Sequence, residues 1–404
     1  MRVAWRTLAL VAAFASGAST AWAQVPLTLS EALAKVRERA PQIVSARLAI
    51  EEARARLAGA THLQSNPELD LAVGNRQGNG ERSTDLDVGV AQSFEPGQRR
   101  SSRQAMANAS IAHSTASLEE ITRATLLDTA TLFFRSLQLS ERVRLLDRGL
   151  ELAGDILQIA DRRFRAGDVA ILDVNIARAA AARIRSERQG VVAERIVIVG
   201  ELKQLLQLED DITPQGDLPA ASNVDASLVA DATNRRSEMR VLEAAIQEAQ
   251  AEEQFGRSFG RVEYGFGARY QREEHNHILL GGLTLTLPML SKGQGPIASG
   301  LARATRLRAE LDATRIRIGI EVRTALAAYQ SRVEAVQVLE RDALPGLDAS
   351  VTLATRSFEV GQIGLAELLL IRREIIDTRV QYLDALLEAA IARVELDARA
   401  GVLR

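Results

Sequence analysis

From Gln98 to about Arg163 the chain carries one uninterrupted helical pattern, and no proline stands between Pro96 and Pro214. Globular chains place a proline about once in 20 residues. At 1.5 Å per residue, some 65 helical residues reach roughly 100 Å, far beyond the diameter of a compact domain of this size. A second proline-free run extends from Pro345 to the carboxyl terminus. Composition agrees with elongation: only 4% of residues are aromatic, and Ala, Leu, Arg and Glu dominate. Apolar residues recur at helical spacing, as in Leu368, Ile375, Tyr382 and Leu386, with Arg and Glu between them. Such stripes require partner helices. With helices alone, an isolated antiparallel coiled coil would satisfy the pattern.

The chain is written twice. At an offset near 195, Phe164-Arg-Ala-Gly167-Asp-Val-Ala-Ile-Leu-Asp173 falls on Phe358-Glu-Val-Gly361-Gln-Ile-Gly-Leu-Ala-Glu367, and Gly97-Gln98 falls on Gly293-Gln294. Residues 24–207 form the first repeat, 208–224 an irregular connector with Pro214, Gly216 and Pro219, and 225–404 the second repeat. Each repeat is expected to run helix, two short strands, one very long helix, a glycine turn and a returning helix.

The short segments decide the fold class. Gly260 to Gln271 alternates apolar with polar or glycine residues, and Leu283-Thr-Leu285-Thr-Leu287 does the same up to Pro288. In the first repeat, Leu69-Asp-Leu71-Ala-Val73 and Leu86-Asp-Val88-Gly-Val90-Ala-Gln92-Ser-Phe94 repeat the pattern. These runs predict strands at about 67–75, 84–95, 260–271 and 278–287, one hairpin per repeat, with polar loops at Asn75 to Thr84 and Arg272 to Asn276. Strands of about ten residues with one apolar face and aromatics near the ends suit a transmembrane β-barrel. Four strands cannot close a barrel, and lipid tolerates no open sheet edge. Several copies must therefore pool their strands. Two soluble hairpins packed on helices are the alternative.

The first 23 residues read as a secretory leader: Arg2 and Arg6, an apolar run from Leu8 to Ala18, and Ala21-Trp22-Ala23 before Gln24. That run of about eleven residues is too short for a helical span, which needs about 20. Removing Arg2 and Arg6 from the 50 basic residues leaves 48 against 52 acidic ones, so the balance points to no nucleic-acid partner. The absence of cysteine excludes disulfides, thiolate metal sites, a catalytic thiol and a lipid-modified amino-terminal cysteine.

The order of elements, the duplication, and the paired segments Arg163 to Arg178 and Ser357 to Leu370 resemble the TolC-like outer-membrane efflux proteins over essentially the whole mature chain. Asn66-Pro67-Glu68-Leu69 and Phe94-Glu95-Pro96-Gly97-Gln98-Arg99-Arg100 resemble the CzcC-like branch, which serves heavy-metal cation pumps. The resemblance implies an α+β membrane protein and a homotrimer. Its long antiparallel helices would form a periplasmic α-barrel, and each protomer would add four strands to one shared transmembrane β-barrel. It implies a passive duct without cofactor, set in outer-membrane lipid, with a periplasmic adaptor and an inner-membrane RND pump as partners. The adaptor would dock at the tips, Ala166, Gly167, Asp168 and Val169 in one repeat and Val360, Gly361, Gln362 and Ile363 in the other. Glu367 falls where a gate carboxylate sits in the family, and Asp173 on the acidic position of the first repeat. The next gate acid is replaced by Leu370 and an arginine of the closing network by Ile363, so the lock does not carry over whole.

Other features are weaker. His275-Asn276-His277 lacks the further ligands a metal site needs. Gly293-Gln-Gly295-Pro-Ile-Ala-Ser-Gly300 lacks the Gly-Lys-Ser/Thr ending of a phosphate loop, and it sits where a strand must pass into a helix. No serine, histidine and acid arrangement supports an enzyme. A duct for drugs or solvents, and a soluble periplasmic coiled-coil scaffold, are the rival readings.

Overall fold

The computed structural model describes residues 25–78, 81–222, 224, 231–273 and 276–403, so the leader expected at 1–23 lies outside the described residues. A long α-helical body carries a four-stranded antiparallel sheet at one end. The spine is α3, Gly97–Ala166, 70 residues in one helix and therefore about 105 Å long. Its flanks are covered in succession. Toward the sheet it packs on α2 (Pro41–Ala60) and α6 (Ser237–Ser258), and toward the far tip on α4 (Ile171–Leu206). In the second half, α7 (Gln294–Val338) packs on α6, and α9 (Leu365–Arg399) on both α7 and α3. Much of the buried surface is alanine, as at Ala130, Ala177, Ala249 and Ala389. Small contact residues let helix axes approach toward the close end of the usual 8–10 Å.

Midway along the body, β1 (Val25–Leu27) pairs in parallel with β4 (Ile212–Pro214), Val25 opposite Ile212. Helix α1 (Leu29–Arg39) starts immediately after, in a capping box: Thr28 N–H donates to Glu31 Oε2 at 2.8 Å, and Glu31 N–H to Thr28 Oγ1 at 3.4 Å. The residues gathered there, Leu27, Val36, Ile43, Leu126, Phe133 and Leu206, form the largest apolar cluster. A single turn, α5 (Ala232–Arg235), opens the second half and joins another cluster around Ile318, Tyr329 and Leu396.

The second half departs from the expected copy of the first. Instead of one very long helix, α7 ends at Val338, a five-residue π-turn follows at Leu339–Ala343, and a separate helix α8 spans Leu347–Glu359. Pro345 is the cause. It has no N–H to donate, and its ring collides with the carbonyl four residues earlier. The chain widens ahead of it, Leu344 N–H donating five residues back to Leu339 O at 2.9 Å. Tyr382 braces the break from α9, its hydroxyl donating to Glu340 Oε1 at 2.7 Å.

The four strands are β2 (Glu68–Gly78), β3 (Glu81–Phe94), β5 (Glu263–Glu273) and β6 (Asn276–Thr286), in the order β2-β3-β5-β6. Each half gives one hairpin, and β3 with β5 joins the halves. At the hairpin turns the strands run farther into the polar segments than the sequence predicts: Gln77 pairs with Arg82, Gly78 with Glu81, and Glu273 with Asn276. A backbone ladder needs no apolar side chain to propagate. The expected long polar loops are thus mostly strand.

Candidate functional site: a one-sided sheet and two fastened helical tips

Residues directly opposite one another in an antiparallel pair share a face. The register therefore sorts the sheet cleanly. One face collects Leu69, Leu71, Val73, Leu86, Val88 and Val90, then Tyr264, Phe266 and Tyr270, then Leu279, Leu283 and Leu285. No described residue of the protomer covers it: Leu71 is 66% and Leu279 79% exposed. Aromatics sit at both ends. Phe94 lies 6.0 Å from Tyr264 and 6.2 Å from Phe266 between ring centroids, while Tyr270 stacks on His277 at the other end, with a 2.6 Å hydrogen bond between its hydroxyl and Nδ1. From Tyr264 to Arg272 the strand covers about 27 Å, close to the thickness of a bilayer core.

The opposite face is polar. Arg269 Nη1 donates to Asp87 Oδ2 at 3.0 Å and Nη2 to Asp70 Oδ2 at 3.5 Å, while Gln271 Nε2 donates to Asp87 Oδ2 at 2.9 Å. This side-chain lattice crosses three strands. The two outer strands, β2 and β6, each leave one edge without a partner in the sheet.

Arginines in the first turns of α3 fasten the sheet to the body. Arg103 grips Glu95 in a fork, with both N···O distances at 2.6 Å, and donates to Ala60 O at 3.3 Å. That bond and the neighbouring guanidinium charges hold the Glu95 carboxyl below the ordinary glutamate range. Arg99 bonds Glu263 of the second half and stands 4.6 Å from the Phe259 ring centroid. The segment after β3 is therefore a structural clasp. Nearby, Gly293 starts α7 at φ 77°, and a Cβ there would overlap the Gly256 carbonyl. This glycine stretch serves a close backbone crossing.

The tips lie at the other end. Helix α3 stops at Gly167 (φ 86°), whose N–H donates to Phe164 O at 3.0 Å while Asp168 N–H reaches Arg163 O at 2.9 Å. The second tip turns at Gly361 (φ 77°), with Gly361 N–H on Phe358 O at 3.1 Å and Gln362 N–H on Ser357 O at 2.8 Å. Both are left-handed glycine endings of a helix, and both returns begin three residues or so later. Ala166, Gly167, Asp168, Val360, Gly361 and Gln362 are exposed, whereas Val169 and Ile363 are half-buried. Ile363 packs on a cluster containing Ile156, Val174, Phe358 and Leu368.

Asp173 and Glu367 occupy the same place, the third residue of α4 and of α9. Glu367 is exposed and Asp173 half-buried. At a helix start a carboxylate also complements the free N–H groups, which by itself accounts for an acid there. Sequence reasoning assigned no role to Arg163. Its Nη2 donates to Glu359 O at 3.0 Å and its guanidinium lies over Phe358, 4.9 Å from the centroid. The two tips are thereby linked. The available signal was a break in the repeat, since Arg163 aligns with Ser357.

His275 lies outside the described residues, and His277 spends its Nδ1 on Tyr270. No group of three or more potential metal ligands occurs among the described residues. No described helix is long and apolar enough to cross a membrane.

The family of outer membrane efflux proteins matches residues 32–206. The chain is 25% identical over 275 residues to the cobalt-zinc-cadmium resistance protein CzcC of Cupriavidus metallidurans, covering 66% of this chain and 65% of that one, just under two thirds of the relative's length. Its fold matches the CmeC outer membrane channel of Campylobacter jejuni, with TM-score 0.76 at 15% identity over 93% of this chain and 85% of that one. It also matches CusC, with TM-score 0.78 at 16% identity over 92% of each. A membrane protein from Pseudomonas aeruginosa gives TM-score 0.78 at 18% identity over 92% and 90%. The fold over the whole chain is thus that of solved outer-membrane channels, and residues 32–206 match the outer membrane efflux protein family.

Proposed function

We propose that three copies of this chain close one twelve-stranded barrel in the outer membrane and form the passive exit duct of a tripartite efflux system. The carrying observation is the sheet: one uncovered apolar face with aromatics at both ends, a polar opposite face, and two edges without partners. Exposed apolar strands with open edges are stable only against lipid and against further strands. Pooling closes the edges, turns the Asp70–Arg269–Asp87 face toward a water-filled lumen, and sets the long helices as a tube projecting into the periplasm.

In this reading a periplasmic adaptor meets the exposed turns around Gly167 and Gly361, an RND pump of the inner membrane drives transport, and no cofactor takes part. Glu367 and Asp173, repeated around the axis, form acidic rings near the closed end of the tube. Such rings favour cations over anions. The likeness to CzcC supports divalent metal cations such as cobalt, zinc and cadmium as the cargo. Deleting the gene should sensitise cells to these metals, with rescue by the intact chain. Unchanged metal tolerance alongside new drug sensitivity would redirect the cargo assignment while leaving the duct in place.

A further inference from the structure

Beginning at Ile156, about 15 Å back from the Gly167 tip, and reaching to Leu145, about 30 Å back, α3 joins α4, α8 and α9 around a groove of about 500 Å³. Its floor is apolar, built from Leu152, Ile156, Ile184, Leu369 and Ile376 around Gly149. Its walls carry five arginines, Arg148, Arg183, Arg372, Arg373 and Arg379, and no acidic side chain. The lining thus concentrates positive charge, whereas arginines elsewhere on α3 and α4 pair with acids, as Arg165 does with Asp161 and Arg188 with Asp147.

Arg372 is the strongest indicator. Its Nη1 donates to Leu152 O at 3.3 Å and its Nη2 to Thr355 Oγ1 at 2.8 Å, so it is held in place by α3 and α8. Its Nε is buried and has no acceptor in the protein. A buried charged donor left unmatched is costly. Arg148 and Arg183 stand exposed at the rim with no ion-pair partner among the described residues. Arg373 pairs with Asp377, one turn along its own helix, at 3.4 Å.

We propose that this groove is a binding site for a small amphipathic anion: a hydrocarbon body seated on the apolar floor, with a carboxylate, sulfate or phosphate oxygen accepting from Arg372 Nε and from the rim guanidiniums. The volume is that of a small-molecule site, mostly apolar with a few convergent polar groups. Guanidinium is suited to oxoanions, which it binds through paired donors. The occupant would wedge between α3/α4 and α8/α9, the helix pairs that the Arg163–Phe358 contact holds together farther down. Occupancy would thus reach the tips through rigid helices. This site does not depend on the duct reading.

The test is photolabelling of the full-length protein, held in amphipol, by a diazirine-bearing dodecanoate, followed by peptide mapping. Labels are expected on 145–156 and 369–376, displaced by dodecanoate and not by dodecyltrimethylammonium. Arg148→Glu with Arg183→Glu, both at the exposed rim, should lower labelling about tenfold, the loss of a charge-assisted contact, while the assembly keeps its native mass. Labelling elsewhere, equal competition by the cationic amphiphile, or an unchanged yield in the rim variant overturns the proposal. Labelling that arises only after the protein is dissociated into single chains also overturns it, because a neighbouring copy would then be the occupant.

Discussion

The guanidinium of Arg163, near the end of α3, lies 4.9 Å from the ring centroid of Phe358, near the end of α8, and its Nη2 donates to the Glu359 carbonyl at 3.0 Å. One residue thus caps the helix that ends the second tip from the side of the first. Phe358 is buried in the tip cluster, whereas its repeat counterpart Phe164 is 40% exposed. The internal duplication is broken where the two coiled pairs must hold each other.

Arg163→Ala removes a partly buried cation–π contact and a charged hydrogen bond, together worth about 1–3 kcal/mol. The tips should part more readily while the fold remains. In planar bilayers the variant is expected to conduct more, and Arg163→Lys to fall between it and the wild type. Conductance unchanged in both would remove Arg163 from the closed state.

The Arg103–Glu95 fork is nearly buried, with side chains 12% and 8% exposed. Arg103→Ala leaves the Glu95 carboxylate without its partner, which costs about 3 kcal/mol for a pair of this burial. Thermal unfolding should move down accordingly, and Glu95→Gln should recover part of the loss in the double variant. Because the folded-state pKa of Glu95 is lowered, its contribution is present above the ordinary value of 4.5 and is lost as pH falls below it through the folded value. The wild type should therefore lose stability on acidification more steeply than the double variant.

Tyr382 braces the π-turn through Glu340. Burial, and then the Glu340 carboxylate accepting its proton, push the phenol up to about 12. A raised pKa stabilises the folded chain below the unfolded value of 10 and ceases to do so as pH climbs through about 12, so the brace is intact at every physiological pH. Tyr382→Phe should raise amide exchange across 339–346 about fivefold, the worth of one hydrogen bond, with α3 unaffected. Equal exchange in both proteins would mean that Pro345 alone sets the break.

Glu367→Gln and Asp173→Asn test the acidic rings. Reversal potentials under a salt gradient should show reduced cation preference in each, with a larger change for the exposed Glu367. An unaltered potential in both variants would reduce these acids to caps of their helices.

Much of this arrangement could be read from the sequence. Period-two alternation at Leu69-Asp-Leu71 and around Phe266 placed the strands and their faces, because one buried or lipid-facing side forces that period on any sheet. The span of α3 was legible from proline spacing, and both turns from Gly167 and Gly361. Symmetry misled the reading of the second half, where Pro345 stands opposite Leu150, inside α3, and splits the helix. Strand ends were missed because ladder pairing continues through polar positions such as Gln77 opposite Arg82. Arg163 and Arg372 were illegible for another reason: their partners are backbone carbonyls, a hydroxyl and a ring brought close only by folding.

The central claim, a barrel shared among copies of the chain, is tested most directly by the native mass of the protein extracted from the outer-membrane fraction after a high-salt wash. The account predicts a species near three protomers that stays with the membrane until detergent is added. A monomer or dimer released by the wash would contradict it, for the apolar face of the sheet would then have to be covered by something other than lipid.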